Sequence, residues 1–383
     1  MHHLRSLPVP ALLICLAFTG WPLSAQTIIR HPDVGQPLSV KWNWAVKEAI
    51  GNKLTEGVWI GYGIRRWMEE NSHMGSFNTA EWGIRPSLHE LLYGQKEFPD
   101  GEVDREEAVR REARRALEGK KRGKGDGPKV IKGVAILLGY NASSKNFTEP
   151  VKLIVSNLSL TVDLGDRPLV WLGNASHDEG VVHLETLFGQ VPAKFKEKLL
   201  FAISIHDSSE RAYAFMKKQL NEGETEKLRG SAAFWIGQAD RVQDITLLMG
   251  TAADDRSKHV REQAVFGLSQ MKSEQASLAL IDLAKHGTTT EVRSKAIFWL
   301  GQKASEKVVP LLKDMANYDP DTKLQKEAVF ALSRRKDGDG VKELIQIARS
   351  HEKGEVRRQA IFWLGQSKDP RALEALSEMV RGK

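Results

Sequence analysis

The C-terminal half of the chain carries an internal repeat with a period of 32 residues. Each copy reads alanine, an apolar residue, phenylalanine, a variable residue, an apolar residue, a small residue and a long polar residue. The five copies are Ala232–Gln238, Ala264–Gln270, Ala296–Gln302, Ala328–Arg334 and Ala360–Gln366. A fixed period of this length is typical of chains built from stacked supersecondary units, none of which can bury its apolar face alone. The period therefore constrains the fold more than any other feature of the sequence.

A second amphipathic stretch lies between successive copies, for example Glu274–His286 and Glu306–Ala316. Its apolar residues have helical spacing, and short polar turns such as Gly287–Thr290 join it to the next copy. Two helices per period predict an α-solenoid. A capping-box pattern at Ser176 and Glu179 predicts where the first helix begins. We count six units over residues 176–383, followed by a last helix.

The copies fall into two alternating kinds. The variable position holds a large ring in the odd copies, at Trp235, Trp299 and Trp363, and a small residue in the even copies, at Gly267 and Ala331. Alternation of large and small residues along a stack allows neighbouring helices to interdigitate.

The pattern V-R-x-x-A-h-x-x-L-G occurs at Val292–Gly301 and Val356–Gly365. This pattern resembles the HEAT repeat family, in particular the short PBS-lyase-like HEAT repeats, over about residues 177–383. The resemblance implies a mainly α fold, a right-handed α-solenoid of HEAT-like helical pairs in which the second helix of each pair lines the concave side. It does not define a function, because HEAT arrays serve many tasks.

Residues 26–175 have no such period. A short helix is expected at Lys41–Ile50. Segments rich in branched and aromatic residues, bounded by Gly, Asn and Pro, predict strands. These segments are Gly57–Tyr62, Val134–Tyr140, Val151–Leu164 and Pro168–Gly173. Residues 103–128 read as a charged helix followed by a flexible basic loop. We therefore predict a small β-rich (α+β) domain that covers the first repeat.

Residues 1–25 have the pattern of a secretory signal peptide: a weakly basic start, the short apolar run Ala11–Phe18, and small residues before Gln26. The alternative is an uncleaved membrane anchor. The single cysteine, Cys15, lies in the apolar run. The pattern predicts an exported protein, and the repeat style suggests a bacterial periplasm or cell envelope. No later segment is apolar enough to span a bilayer.

The formal net charge of +7 is spread along the whole chain of 383 residues. It does not form the basic stripe that nucleic-acid-binding proteins carry, so we expect no nucleic-acid partner. The sequence also contains no GxSxG, HExxH, P-loop or dinucleotide-binding pattern. We therefore expect a protein that is not an enzyme and that holds no cofactor.

Two histidine clusters are candidates for metal or catalytic sites. His177 and His183 are six residues apart, which does not place them on one helical face, and no matched third ligand is evident. His206 and Asp207 lack a positioned nucleophile. We expect no metal site and no catalytic residue at either place.

One enzyme related to HEAT arrays, deoxyhypusine hydroxylase, carries His-Glu pairs on its inner helices as iron ligands. The pairs His89-Glu90 and His351-Glu352 lie outside the inner-helix motif of this chain. Residues that occupy the ligand positions are Gln263, Lys295 and Gln359. The sequence therefore does not predict a diiron site.

On a helical wheel, the phenylalanine of each copy points almost opposite to the alanine that faces the core. These phenylalanines are predicted to form a ladder on one surface: Phe234, Phe266, Phe298, Phe330 and Phe362. Long polar side chains edge the ladder at Gln238, Gln270, Gln302, Arg334 and Gln366. Exposed aromatic rows usually mark interaction sites, so we predict a groove for a protein or peptide partner.

Two other interpretations of the ladder stay open at this point. The rings could pack between neighbouring repeats, or they could be covered by a second copy of the protein. A different class of function, an enzyme whose site lies in the N-terminal domain, is the alternative to a binding scaffold.

Overall fold

A computed structural model describes residues 26–52, 54, 57–75, 86–94, 128–141, 147, 149–303, 307–335 and 338–382. The predicted signal peptide with Cys15, and nearly all of the charged segment 103–128, lie outside the described residues. In the described part of the chain, fifteen helices and five strands form a small sheet followed by a helical array. This is the predicted fold class, a solenoid preceded by a β-rich unit.

The N-terminal sheet is mixed and has the strand order β1-β5-β2-β3-β4. Its strands are β1 (Ile28–Arg30), β2 (Val58–Glu69), β3 (Lys129–Tyr140), β4 (Lys152–Asn157) and β5 (Leu169–Asn174). Strand β5 pairs in parallel with β1 and β2, whereas β3 pairs antiparallel with β2 and β4. The strand expected at Val151–Leu164 ends at Asn157, because the chain then turns across one face of the sheet.

Each face of the sheet has its own cover. One face packs against α1 (Leu38–Gly51) and belongs to the same continuous hydrophobic core as the helical array. The other face packs against α2 (Leu88–Tyr93) and the turn up to Leu164, whose carbonyl accepts a 2.9 Å hydrogen bond from Trp59 Nε1. The sheet and the array therefore share one core, and the sheet closes the first end of the array.

Thirteen helices follow the sheet in the described residues. They are α3 (His177–Phe188), α4 (Ala193–Ser204), α5 (Glu210–Glu222), α6 (Glu226–Gln238), α7 (Ile245–Asp254), α8 (Lys258–Gln270), α9 (Glu274–His286), α10 (Thr290–Leu300), α11 (Val308–Tyr318), α12 (Thr322–Ser333), α13 (Val341–Ser350), α14 (Gly354–Gly365) and α15 (Pro370–Val380). Helices α3 to α14 form six pairs, and α15 packs on the last pair. None of the described helices is both long enough and apolar enough to cross a membrane.

The second helices of neighbouring pairs approach closely where small residues face each other. A Cβ atom added to Gly237 in α6 would overlap the backbone of Gly267 in α8. A Cβ added to Gly301, directly after α10, would lie 3.0 Å from Cα of Ala331 in α12. The predicted alternation of large and small residues thus allows these contacts between helices.

An arginine precedes the repeat motif in four of the five copies and binds the end of the preceding helix. The guanidinium of Arg229 donates to the Gly223 carbonyl and to Asp255 of the next pair. Arg293 likewise donates to the Ala284 carbonyl and to Asp319. These arginines occupy carbonyls that the helix ends leave unpaired and join one pair to the next.

A substitution at Gly237 tests the close helix contact. We expect Gly237→Ala to lower the free energy of unfolding by about 1–3 kcal/mol, because the added methyl group forces α6 and α8 apart. Gly250→Ala in α7 is the matched control, since a Cβ there meets no atom within 4 Å. Alanine at 250 should raise stability by up to about 1 kcal/mol. Urea unfolding followed by circular dichroism measures the free energy of unfolding of both variants. Equal effects of the two substitutions would contradict the close contact between α6 and α8.

Candidate functional site

The five phenylalanines of the predicted ladder all lie on second helices. Four of their rings are half-buried, and Phe362 is 54% exposed. The rings therefore do not project freely, as a simple ladder would. Each ring rests partly on its neighbours and keeps part of its surface accessible.

Tryptophans of the odd copies fill the spaces between the phenylalanines. The Phe266 and Trp299 rings stack with centroids 4.6 Å apart, and Phe330 lies 4.9 Å from Trp363. Phe201 of the first pair stacks on Trp235 at 5.2 Å. Neighbouring centroids lie no more than 6.1 Å apart along the row. The rings thus form one continuous row, which we call the aromatic stripe: Phe201, Phe234, Trp235, Phe266, Phe298, Trp299, Phe330, Phe362 and Trp363.

The tryptophans of the stripe lie beside the core and not within it. Trp235, Trp299 and Trp363 are only partly buried and lie at the margin of the core. A large ring at the margin reaches out over the neighbouring helix, where the even copies have only a glycine or an alanine. The alternation at this position was the signal in the sequence that marked the tryptophans as members of the stripe.

The long polar side chains run beside the stripe. Gln238, Gln302, Arg334 and Gln366 are exposed, and Gln270 is half-buried. Gln238 Nε2 donates to Gln270 Oε1 at 3.4 Å, so at least one pair of amides bridges two repeats. The other amides can offer donors and acceptors to a bound backbone.

Two cavities flank the stripe where it meets the sheet. A cavity of about 560 Å³ lies between Leu153 and Val155 of strand β4 and the rings of Phe201, Phe234 and Trp235. A second, of about 490 Å³, also borders Phe201 and Trp235 and contains several cationic side chains. Its cations are Arg66, Lys129, Arg241 and Lys272. The stripe therefore begins in a recess between the sheet and the array.

The HEAT repeat family model matches residues 213–301 and 309–383. The C-terminal part of this chain is a HEAT-repeat array. The resemblance seen in the repeat motif is thereby confirmed. The pair α3 and α4 precedes the matched residues and is the divergent first unit of the array.

Solved structures of other HEAT-repeat proteins are similar to this chain. Human deoxyhypusine hydroxylase, in complex with glycerol, is 16% identical, with 53% of this chain and 87% of that chain covered and a TM-score of 0.25. The complex of CpcE and CpcF of phycocyanin lyase from a Nostoc species is 18% identical, with 53% and 80% covered and a TM-score of 0.32. No curated protein matches the sequence. Structural similarity at these identities and TM-scores says nothing about the activity of this chain.

The residues around His177 have structural partners in both the sheet unit and the array. Glu179 completes the capping box with Ser176 and also accepts a 3.1 Å hydrogen bond from the Leu38 backbone. Asp178 accepts from the Ser209 hydroxyl, and His177 Nε2 donates to the Arg65 carbonyl. Across the described residues, no group of three or more His, Cys, Asp or Glu side chains is arranged to hold a metal ion.

His183 lies in a different environment from His177. Its ring packs on Trp42 at 3.8 Å between centroids, beside a cavity of about 780 Å³ between α1 and α3. Burial lowers the pKa of His183 to about 4, so the ring is neutral at neutral pH. It therefore serves as an aromatic packing residue between the sheet unit and the array.

His206 is fully buried where the sheet meets the array. Its Nδ1 donates to the Ala202 carbonyl at 2.8 Å, so Nε2 accepts from the Tyr62 hydroxyl at 3.3 Å. Burial lowers the pKa of His206 from its ordinary value near 6.5 to about 4, and the neighbouring His177 contributes to the lowering. Asp207 does not form a catalytic pair with His206, because its carboxylate binds Arg66 at 2.7 Å.

The buried histidine predicts a stability that depends on pH. The unfolded chain binds a proton on His206 near pH 6.5, whereas the folded chain does so only near pH 4. Stability is therefore complete above pH 6.5 and falls as the pH drops from 6.5 to 4, by roughly 3 kcal/mol for this residue.

Urea unfolding between pH 4.5 and 7.5 measures the pH dependence. His206→Gln should remove about half of it, because the buried His183, whose pKa is also lowered to about 4, contributes a similar share. His286→Gln, at an exposed position of α9, should leave it unchanged. An unchanged slope in the His206 variant would show that this ring does not stay neutral in the folded protein.

Proposed function

We propose that this protein is a non-enzymatic binding scaffold of the bacterial cell envelope that holds a segment of another protein, or a peptide, along the aromatic stripe. The observation that carries the proposal is the continuity of the half-exposed rings across the array. Chains rarely leave a continuous apolar row partly exposed unless another molecule covers it.

The composition of the stripe favours an extended segment with apolar or aromatic side chains. Aromatic rings provide large contact areas with little loss of side-chain entropy, and offset or edge contacts add further stabilisation. The glutamines beside the rings can bind the partner's backbone amides.

Ion pairs between neighbouring second helices keep the flanks of the stripe nearly neutral. Lys295 lies 3.7 Å from Glu262, and Lys326 lies 3.1 Å from Glu355. A neutral flank suits neither a nucleic acid nor an anionic bilayer surface, both of which need clustered cations. The support for an envelope location is the signal-peptide pattern of residues 1–25.

The double variant Phe298→Ser/Phe330→Ser tests the stripe. Their rings lie on neighbouring second helices with centroids 6.1 Å apart, so the variant interrupts the stripe at its centre. We expect the partner captured from a bacterial envelope extract to bind the variant at least about tenfold more weakly, because aromatic residues dominate the energy of such interfaces. Circular dichroism must first show that the variant keeps its helicity.

Tyr318→Ser is the matched control, because Tyr318 is 80% exposed on a first helix and lies outside the stripe. A photo-crosslinking residue placed at Gln302 should join the partner to the array, and the same residue at position 318 should not. Capture that is equal in the wild type and the double variant would mean that the rings only pack between repeats. If a second copy of the protein covered the rings, the measured molecular mass would rise with protein concentration.

A further inference from the structure

Two copies of the repeat motif are identical in sequence but lie in different surroundings. Residues 296–302 and residues 360–366 both read AIFWLGQ. The first copy lies inside the array, where α12 packs on α10. The second copy lies on α14, the last second helix in the described part of the chain. The two copies can therefore be compared directly, because their motif sequences are the same and the helix packed against each of them differs.

The second copy exposes the residues that the first copy buries. Ile297 is fully buried, whereas Ile361 is 41% exposed. A Cβ on Gly301 would lie 3.0 Å from Ala331, whereas a Cβ on Gly365 meets no atom within 4 Å. We call this surface of Ile361, Phe362 and Gly365, together with Arg358, the end face.

The helix α15 does not cover the end face. It packs on the last pair through Ala372 and Ala375, and it exposes Leu373 and Val380. Among the described residues, Ile361 stays 41% exposed and Phe362 stays 54% exposed. This unit therefore keeps the apolar surface of an interior repeat.

We propose that the end face binds an amphipathic α-helix of another protein, in the way that α10 binds α12. The contact between α10 and α12 shows which helix would fit. The bound helix must carry glycine or alanine at the position that Ala331 occupies in α12, because a larger side chain would collide with the backbone at Gly365. A second copy of this chain cannot supply such a helix, since Gly267 and Ala331 are buried within its own array.

Charge adds a second requirement for the bound helix. Arg358 is exposed and has no ion pair with any described residue. The equivalent residue of α6 is Gly230, whose Cβ would lie 3.0 Å from His259 Nε2 of the next second helix. A helix on the end face would therefore present an acidic residue to Arg358, at the position of His259 in α8 and Lys323 in α12.

A synthetic helix tests this binding site directly. The probe is a fluorescein-labelled peptide of residues 320–335 that carries Lys323→Glu, titrated with the full-length protein and followed by fluorescence anisotropy. We expect saturable binding. A second peptide that also carries Ala331→Trp should bind at least about tenfold more weakly, because the ring cannot fit against Gly365.

Gly365→Leu is the matching change in the protein. Because Gly365 contacts nothing within 4 Å, this variant should keep its thermal midpoint and still lose at least about tenfold in affinity for the peptide. The variant Phe298→Ser/Phe330→Ser should bind the peptide normally, because the end face shares only Phe362 with the aromatic stripe.

Three results of the peptide titrations would overturn the proposal. They are no binding of the first peptide to the wild type, equal binding of the two peptides despite the Ala331→Trp change, and full affinity in the Gly365→Leu variant. A dimer in sedimentation that Gly365→Leu dissociates would also overturn it, because a second copy would then occupy the end face.

Discussion

The close approach of neighbouring second helices is the contact on which the rest of the array depends. Gly237 and Gly301 leave no side chain between one second helix and the next, so backbone meets Gly267 or Ala331 directly. At that separation the rings on one margin of the helices must touch, which produces the aromatic stripe. The same approach brings Arg229 and Arg293 within reach of the carboxylates of the following pair. The close approach of the second helices therefore accounts for the helix spacing, the aromatic stripe and the hydrogen bonds between repeats.

The two ends of the described array differ in kind. At the first end, the sheet shares the core of the array, and polar contacts fix the junction. Tyr62 reaches His206, the Leu38 backbone donates to Glu179, and the buried Lys41 ammonium donates to the Asn174 carbonyl at 3.0 Å. Burial lowers the pKa of Lys41, and Glu179 offsets part of that effect. The sheet therefore closes the first end of the array, whereas the last described pair leaves Ile361 and Phe362 exposed.

Much of the array could be predicted from the sequence, because its contacts are local and recur with a fixed period. The capping box at Ser176 and Glu179 and the direction of the phenylalanines followed from helix geometry alone. The position of Trp235 could not be predicted in this way, since a residue at the margin of the core is placed by the neighbouring repeat. The short strand β1 and the parallel pairing of β5 depend on contacts distant in sequence, and no periodicity records them. The recess beside the stripe could not be predicted for the same reason, since it forms only where the sheet meets the array.

The alternation of tryptophan with glycine or alanine has a consequence for how such an array can lengthen. Units of one kind contact units of the other kind, so the true unit of the stack is a pair of repeats, 64 residues long. Duplication of one repeat would bring two like units together, with ring against ring or a gap beside a small residue. Duplication of 64 residues would reproduce every existing contact. The identical sequences at 296–302 and 360–366, which are 64 residues apart, follow this longer period.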